Sequence, residues 1–503
     1  MEIDIEGLQI YGTEIQSQLV VLSALSGTRN WVFTEELSLL TGYERRKLLR
    51  NITYLNEDFK KLGYQKMWIG QEKYKGFRLH RENEYDIERF LIDRIKNTVE
   101  FKFVFGIYTE TIKSLTQFSL DNHISESSAY RILTRFRSTL EKYDIKVSRG
   151  DYHLVGNEIK IRTFFDMFTW LVFRGEEQIY SSITDDKIRQ FTDEIEVFFK
   201  IKLNPIKRKK LENTLENTLF RNQKNRKIIL NAKFLNFLEG NQLFQNFCKA
   251  LGPFLVNQEG VEGDLGYLFL TLLSQDIYYS NKEIQDEIMF YHLENQTEIY
   301  DSYCCIKTAL DINQVSNQIQ ERLDKYLIAT HTRAYFFDGL GETINGYIYW
   351  KKINKKFPEL VKKLKTTIHL LKKSTGNIIF TNEQFLIMRY MTVIPIVFSP
   401  AKYEEPISIL LVTDLGDLED EKIVEELTKS FLNEYNLKIM SSPDLNQTFD
   451  FLLANTSVSA EYLHKITNMR LFFSDTLTKK DYYEIDLICK NISIEKSIHK
   501  SKG

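Results

Sequence analysis

Tyr43-Glu-Arg-Arg-Lys-Leu-Leu-Arg-Asn-Ile-Thr-Tyr-Leu-Asn-Glu-Asp-Phe59 carries two patterns at once. Leu48, Leu49, Ile52, Leu55 and Phe59 recur at helical spacing and gather on one face, which leaves Arg46, Lys47, Arg50, Thr53 and Tyr54 on the other. Such a helix packs its apolar side and turns a cationic side outward. Ahead of it, Ser17 to Gly27 read as a helix carrying Leu19, Val20, Leu22, Ala24 and Leu25. A short second helix follows, with Thr34 as its expected N-cap and Thr41-Gly42 as its closing turn. Behind the quoted stretch, Lys66 to Ile69 and Gly76 to Leu79 read as two short strands around a polar turn. Three helices and a hairpin in this order predict a winged helix-turn-helix unit whose third helix starts near Tyr43.

The order repeats. A helix from Phe101 to about Leu115 is followed by a short helix near Ser119 to His123 and a longer one beginning at Ser125. In that longer helix Ala129, Ile132, Leu133, Phe136, Leu140 and Tyr143 share an inward face, and Ser127, Arg131, Thr134 and Arg135 look outward. Ile145 to Ser148 and Tyr152 to Val155, joined by Arg149-Gly150-Asp151, predict a second wing.

A helix of this width fits the DNA major groove, where its first turns set Arg, Ser or Thr against base edges while neighbouring cations touch phosphates. The predicted DNA-contacting residues are therefore Arg45, Arg46, Lys47 and Arg50 in the first unit, with Ser127, Arg131, Thr134, Arg135 and the wing residue Arg149 in the second. The formal net charge of −2 conceals a local excess: from Arg45 to Arg81 eleven lysines and arginines stand against Glu57, Asp58 and Glu72.

Phe118-Ser-Leu-Asp-Asn-His-Ile-Ser-Glu-Ser-Ser-Ala-Tyr-Arg-Ile-Leu133, followed by Val155-Gly-Asn-Glu-Ile-Lys-Ile-Arg162, resembles the Mga-type (Mga/AtxA-like) virulence regulators of Gram-positive bacteria. The resemblance extends over nearly the whole chain, with its specificity in the second DNA-binding unit. It implies a transcriptional activator with two winged units, two helical domains similar to phosphotransferase-system regulation domains (PRD), and a terminal domain similar to enzyme IIB of sugar transporters.

The remaining sequence divides accordingly. With 503 residues the chain exceeds what one core can serve, and 22 Gly and 7 Pro leave few breakers, so a mainly α protein is expected. The expected domains are two winged units at 1–92 and 93–156, PRD-like helical domains at 157–287 and 288–402, and an α/β enzyme IIB-like domain at 403–503. Ile161, Phe164, Phe165, Phe168, Leu171 and Val172 form a broad apolar face early in the first helical domain, read as core. In the wider family, phosphorylated histidines in such domains report sugar transport. Here the first helical domain has no histidine in its opening or closing helices. The second has His331 in Ala329-Thr-His-Thr-Arg-Ala334 as a possible phosphoacceptor, with His369 as a weaker candidate and Arg389-Tyr390 near where a second histidine would stand.

From Pro406 onward, strands at Ile407 to Val412, Leu437 to Met440, Phe449 to Leu453 and Arg470 to Phe473, with a helix from Glu419 to Asn436, predict a parallel sheet. In enzyme IIB components a phosphorylated cysteine commonly occupies the loop after the first strand. The loop here is Thr413-Asp-Leu-Gly-Asp417, without a thiol and with two carboxylates, so phosphotransfer is expected to be lost. Cys248, Cys304, Cys305 and Cys489 show no CxxC or zinc spacing, so no metal, cofactor or disulfide framework is expected. No catalytic motif occurs either, and the protein is read as not an enzyme. Glu2, Asp4 and Glu6 stand where an export signal would place lysines, and no apolar run approaches the roughly 20 residues a bilayer requires, so a cytoplasmic protein without membrane contact is expected. The expected partners are promoter double-stranded DNA, a second copy of the chain in a homodimer formed through the C-terminal domain, and a phosphotransferase-system phosphocarrier. An RNA-binding antiterminator and a phosphotransfer component are the alternatives; the first is disfavoured by helical, winged readers and the second by the missing cysteine.

Overall fold

α1 (Thr13–Ser26), α2 (Thr34–Thr41) and α3 (Arg45–Lys61) open the chain, followed by β1 (Trp68–Glu72) and β2 (Gly76–His80). The computed structural model describes residues 12–27, 29–83, 85–255, 260–312, 315–338, 356–441, 448–457, 469–474 and 476–501. By Cα proximity the chain divides into two compact units, one of residues 1–300 with 325–348 and the other of 301–324 with 349–503.

In the first unit, Leu48, Ile52, Leu55 and Phe59 of α3 bury against Val21, Leu22 and Leu25 of α1 and against Ile69, Phe77 and Leu79 of the hairpin. Thr34 is the first helical residue of α2 and not its cap; Phe33 holds that position with no side-chain hydrogen bond. α3 begins at Arg45 with Glu44 in the cap position. Val32, between α1 and α2, pairs with Phe77 through reciprocal N–H to O bonds of 2.8 Å, which adds a third strand position beside β2. Gly76, at φ +90°, makes that pairing possible: a Cβ there would stand 2.1 Å from the Val32 carbonyl oxygen.

A helix missed in the sequence, α4 (Tyr85–Lys96), comes next, and its Ile87 and Phe90 enter the first unit's core. α5 (Val99–Tyr108), α6 (Leu115–Asp121), α7 (Glu126–Glu141) and the short antiparallel pair β3 (Lys146–Val147) and β4 (Leu154–Val155) form the second winged arrangement. α5 stops at Tyr108 and not near Leu115, because Glu110 takes φ 60° and Thr111 N–H turns back onto the Gly106 carbonyl. α6 starts earlier than predicted, capped by Ser114, and ends before His123, which has φ 53°.

Helices then follow almost without interruption: α8 (Glu158–Phe173), α9 (Asp185–Phe198), α10 (Pro205–Gln223), α11 (Ala232–Leu238), α12 (Gln242–Leu251), α13 (Val261–Leu273), α14 (Lys282–Glu294), α15 (Glu298–Ala309) and α16 (Asn317–Phe337). Their starts are set locally. Asn157, Thr184, Asn204, Asn231, Asn241 and Asn281 each accept a backbone N–H from the first turn of the helix they precede. The aromatic residues of α8 are core, as the pattern predicted: Phe164, Phe165 and Phe168 are buried, and Tyr108 of α5 stacks on Phe165 with centroids 3.8 Å apart.

In the second compact unit, α17 (Pro358–Thr375) and α18 (Glu383–Val397) precede a four-stranded parallel sheet of β5 (Ile407–Val412), β6 (Leu437–Met440), β7 (Phe451–Ala454) and β8 (Arg470–Phe472), in the order β6-β5-β7-β8. Ile407, Ile409 and Leu411 face Leu427 and Phe431 of α19 (Asp417–Phe431), and Ile485, Cys489 and Ile492 of α20 (Lys479–Ser501). Leu410, Leu452 and Ala454 face the other side, so the near-continuous apolar runs in these strands reflect burial on both faces. α19 is shorter than predicted and begins with Asp417, Glu419 and Asp420, acids that suit the positive end of a helix.

Candidate nucleic-acid interface

The third helix of the first winged unit is held from both sides. Asn51 of α3 accepts a buried hydrogen bond from the Ser17 hydroxyl at 3.2 Å, and Asn56 grips the wing through Ile69, donating to its carbonyl at 3.0 Å and accepting its N–H at 2.7 Å. Opposite this packed side, Arg45, Arg46, Arg50 and Thr53 are exposed. The three arginines make no ion pair with any described residue. Lys47 is half-buried and lies over the Tyr43 ring, 3.7 Å from its centroid, so part of its charge is engaged within the unit. The wing tip carries Lys73, Tyr74 and Lys75, with Tyr74 83% exposed at φ 66°, and Lys75 pairs with Glu72 at 2.6 Å. The sequence signal for this tip was two lysines flanking an aromatic residue within a predicted turn.

α7 starts where the sequence placed it. The Ser125 hydroxyl accepts Ser128 N–H at 3.2 Å and so fixes the first turn. Ser127, Arg131 and Thr134 are exposed, with Ser127 Oγ 2.9 Å from Ser125 Oγ. Arg131 lies along the helix, its Nη2 donating to Ser128 Oγ at 3.1 Å, which poises the guanidinium over the helix's first turn. Tyr130, 58% exposed between these groups, belongs to the same surface; its hydroxyl-bearing ring went unnoticed in the sequence because an aromatic residue there reads as core.

Arg135 corrects an expectation. It was predicted to face outward to DNA, yet its Nη2 contacts Glu100 Oε1 of α5 at 3.1 Å, and Glu100 is largely covered. The pair ties α7 to α5 and engages this guanidinium within the unit, with its side chain 39% exposed. Arg137 likewise donates to the Val147 carbonyl at 3.4 Å and secures the second wing. Arg149 stands exposed at the tip of that wing, whose turn is closed by Ser148, Asp151 and His153; His153 Nδ1 lies 2.6 Å from Asp151 Oδ2. The hydrogen bond from Ser148 is the main influence holding the Asp151 carboxyl below its usual range.

Behind the second unit lies a chain of ion pairs that no periodicity foretold. Arg162, with 0% of its side chain exposed, reaches Glu158 at 3.1 Å and Asp264 at 2.8 Å. Arg221 forks onto both oxygens of Glu158 at 2.7 Å, and Glu110, just past α5, receives Arg226 at 2.7 Å and Arg221 at 3.4 Å. The set binds α5, α8, α10 and α13 together.

The candidate phosphoacceptor is placed differently from a reactive group. His331 has no exposed surface, and burial pushes its pKa down to about 3. In this conformation a phosphocarrier has no path to its ring. His369 is exposed on α17, and Tyr390 is buried. In the loop after β5, Asp414 exchanges hydrogen bonds with Asn455 at 3.1 and 2.7 Å, and the Thr413 hydroxyl turns to Asp420. Cys489 is buried in the core behind that sheet. Among the described residues, no group of three or more His, Cys, Asp or Glu is placed to hold a metal ion, and no helix is long and apolar enough to cross a membrane.

Residues 84–168 match the family model of the Mga helix-turn-helix domain, a span that runs from α4 through most of α8. The chain is also similar to the capsule synthesis positive regulator AcpB of Bacillus anthracis, 19% identical over 325 residues. That match covers 63% of this chain and 64% of the relative, so the chain spans a little under two thirds of the length of the protein it resembles. A winged unit of this build at the matched residues, with the likeness to a positive regulator, supports a regulator of the Mga type.

Proposed function

We propose that the chain is a DNA-binding transcription regulator, acting as an activator, that reads promoter DNA with the outer faces of α3 and α7. One observation carries this: two winged units in tandem each pack the apolar side of their third helix and leave arginines with serine or threonine exposed along it, at Arg45, Arg46, Arg50 and Thr53 and at Ser127, Arg131 and Thr134. Phosphate contacts by these cations supply most of the affinity, and the first turns of the helices supply selectivity. The name of the Bacillus anthracis relative, a positive regulator, supports activation over repression.

In this proposal 157–287 and 288–402 are PRD-like sensory domains and 403–503 is an enzyme IIB-like domain through which two copies pair, so that four winged units face the promoter. The parallel order β6-β5-β7-β8 supports the enzyme IIB likeness. The thiol-free loop at Thr413–Asp417, with Asp414 and Asp417 in it, supports a structural and not a phosphotransfer role. Phosphorylation of His331 by a phosphocarrier requires an opening of α16 that exposes the ring.

The test is fluorescence anisotropy of the full chain with a labelled 30-base-pair duplex across a salt series, beside an RNA of the same sequence. Arg46→Ala, Arg50→Ala and Arg131→Ala should each weaken duplex binding and lower the salt slope by about 0.9. Equal affinity and slope in all three, or preference for the RNA, refutes the reading. Labelling from phosphoenolpyruvate that persists in His331→Ala removes that histidine, and light scattering at the monomer mass removes the dimer.

A further inference from the structure

The α8–α9 connection and the starts of α9 and α10 enclose a cleft that the winged units do not use. α8 ends at Phe173, and Arg174 and Gly175, at φ 51° and 70°, turn the chain onto α10. A Cβ at Gly175 would stand 2.7 Å from Lys209 Cβ, so the turn lies directly against that helix. The cleft is about 420 Å³, within the range of small-molecule sites, and Phe173, Ile179 and Ile188 give it an apolar wall.

Its charge is one-sided. Five carboxylates line it, those of Glu176, Glu177, Asp185, Glu212 and Glu216, against the cations Arg189 and Lys209. Most of these charges are already matched: Lys209 meets Glu176 at 3.5 Å, Lys96 meets Glu177, Arg189 turns to Asp186, and Arg208 reaches Glu212 at 3.3 Å. Asp185 and Glu216 make no ion pair with any described residue. Glu216, 8% exposed, accepts the backbone N–H groups of Ile179, at 2.8 Å, and Tyr180. Burial pushes its carboxyl up to about 7, and the charges of Asp185 and Glu212 add to the push.

Asn213, which also lines the cleft, is 3% exposed. Its Nδ2 turns back onto the carbonyl and Oδ1 of Asp166 in α8, at 3.1 and 2.6 Å. The other fork of the amide, Oδ1, therefore points away from α8 towards the cleft, and it has no donor among the described residues. A buried acceptor left without a donor is unfavourable, and an N–H entering the cleft would relieve it. No three acids among the described residues are spaced to hold a metal ion, which directs the inference to a larger cation whose N–H groups reach separate acceptors. We propose that this cleft binds a small organic cation with N–H donors, an alkyl amine or guanidine, with its charge between Asp185 and Glu216, one N–H on Asn213 Oδ1 and its hydrocarbon part against Phe173, Ile179 and Ile188. Occupancy would supply a stimulus for the sensory role proposed for 157–287, although binding itself requires nothing of that role.

The test is calorimetric titration of the full chain, without DNA, with putrescine, spermidine and agmatine, and with tetramethylammonium as a cation that has no N–H. At least one amine should bind with a Kd below about 1 mM at pH 8, and tetramethylammonium at least about tenfold more weakly. A bound cation favours ionised Glu216, so the same amine should bind up to about tenfold more weakly at pH 6, where that carboxyl is mostly protonated. The other titratable groups about it are Asp185 and Arg189 of α9, Lys209 and Glu212 of α10, Asp166 of α8, and Glu176, Glu177 and Tyr180 of the connection; Glu212, raised by burial as well, shifts affinity in the same direction. Glu216→Gln should weaken binding at least about tenfold and remove most of the pH dependence at an undiminished thermal midpoint. Asp185→Asn, at an exposed position, should weaken it at least about threefold, and it carries the test where Glu216→Gln fails to fold. The proposal is overturned if no amine saturates by about 10 mM, if tetramethylammonium binds as well as the amines, or if either folded variant binds as the unaltered chain does. A failed titration leaves the proposed DNA binding as it stands, because no duplex is present.

Discussion

Replacing Arg162 by Met removes the centre of the buried charge chain and keeps only the apolar stem of its side chain. The guanidinium holds Glu158 at 3.1 Å, Asp264 at 2.8 Å and the Arg226 carbonyl at 2.8 Å. After the change Glu158 keeps both bonds from Arg221, so the group that loses its cation is Asp264, which among the described residues keeps the Asn222 amide at 2.8 Å. Breaking a buried pair in this way costs about 3–5 kcal/mol, because the surviving charge loses its partner and recovers no water. The cost depends on pH in a definite sense. Burial already raises the Asp264 carboxyl above its ordinary range, with Arg162 the main opposing influence, so the variant raises it further. A carboxyl with a raised folded pKa binds more protons folded than unfolded, and stability falls as pH climbs from the unfolded to the folded value. The deficit in Arg162→Met should therefore be full at pH 8 and smaller near pH 4. Calorimetric unfolding at the two pH values measures it, and adding Asp264→Asn to the variant should recover more than half. A deficit under about 1 kcal/mol, the same deficit at both pH values, or no recovery would refute this account.

Three further outcomes follow from single contacts. Ser125→Ala removes the cap of α7 and should cost about 1 kcal/mol by denaturant titration, together with duplex affinity, because the reading turn frays; retained affinity would detach the cap from reading. Gly76→Ala should cost about 1–3 kcal/mol and weaken exchange protection at Val32 and Phe77, since a β-carbon there meets the Val32 carbonyl. His292 and His331 are both held at about 3 by burial. The unfolded chain takes up their protons first as pH falls, so stability is full above about pH 6.5 and declines below it by about 1.4 kcal/mol per pH unit for each imidazole; a thermal midpoint that does not fall between pH 7.5 and 5 contradicts that burial.

Much of the exposed face of α3 and α7 was legible in the residues. α3 and α7 announce themselves because their buried positions recur every three or four residues, and Ser125 is a cap by chemistry alone. Arg46, Arg50, Ser127 and Arg131 fall on the exposed side for the same reason. The partner of Arg135 was not legible because helical phase fixes a direction but not what stands there, and Glu100, 35 residues earlier, meets it in space. α4 was passed over between a wing and a stronger apolar helix, although Ile87 and Phe90 complete the first core.

Sequence periodicity, capping chemistry and turn residues are local, acting over one or two turns of chain. They determined that this protein would be mainly helical, with two hairpins after amphipathic cationic helices and a parallel sheet near its end. The tertiary structure alone decided which charges are spent. Glu110 meets Arg226 across 116 positions and Glu158 meets Arg221 across 63, while His331 vanishes into a helical core. Such meetings depend on how helices pack, and packing energy comes from neighbours that lie far apart along the chain.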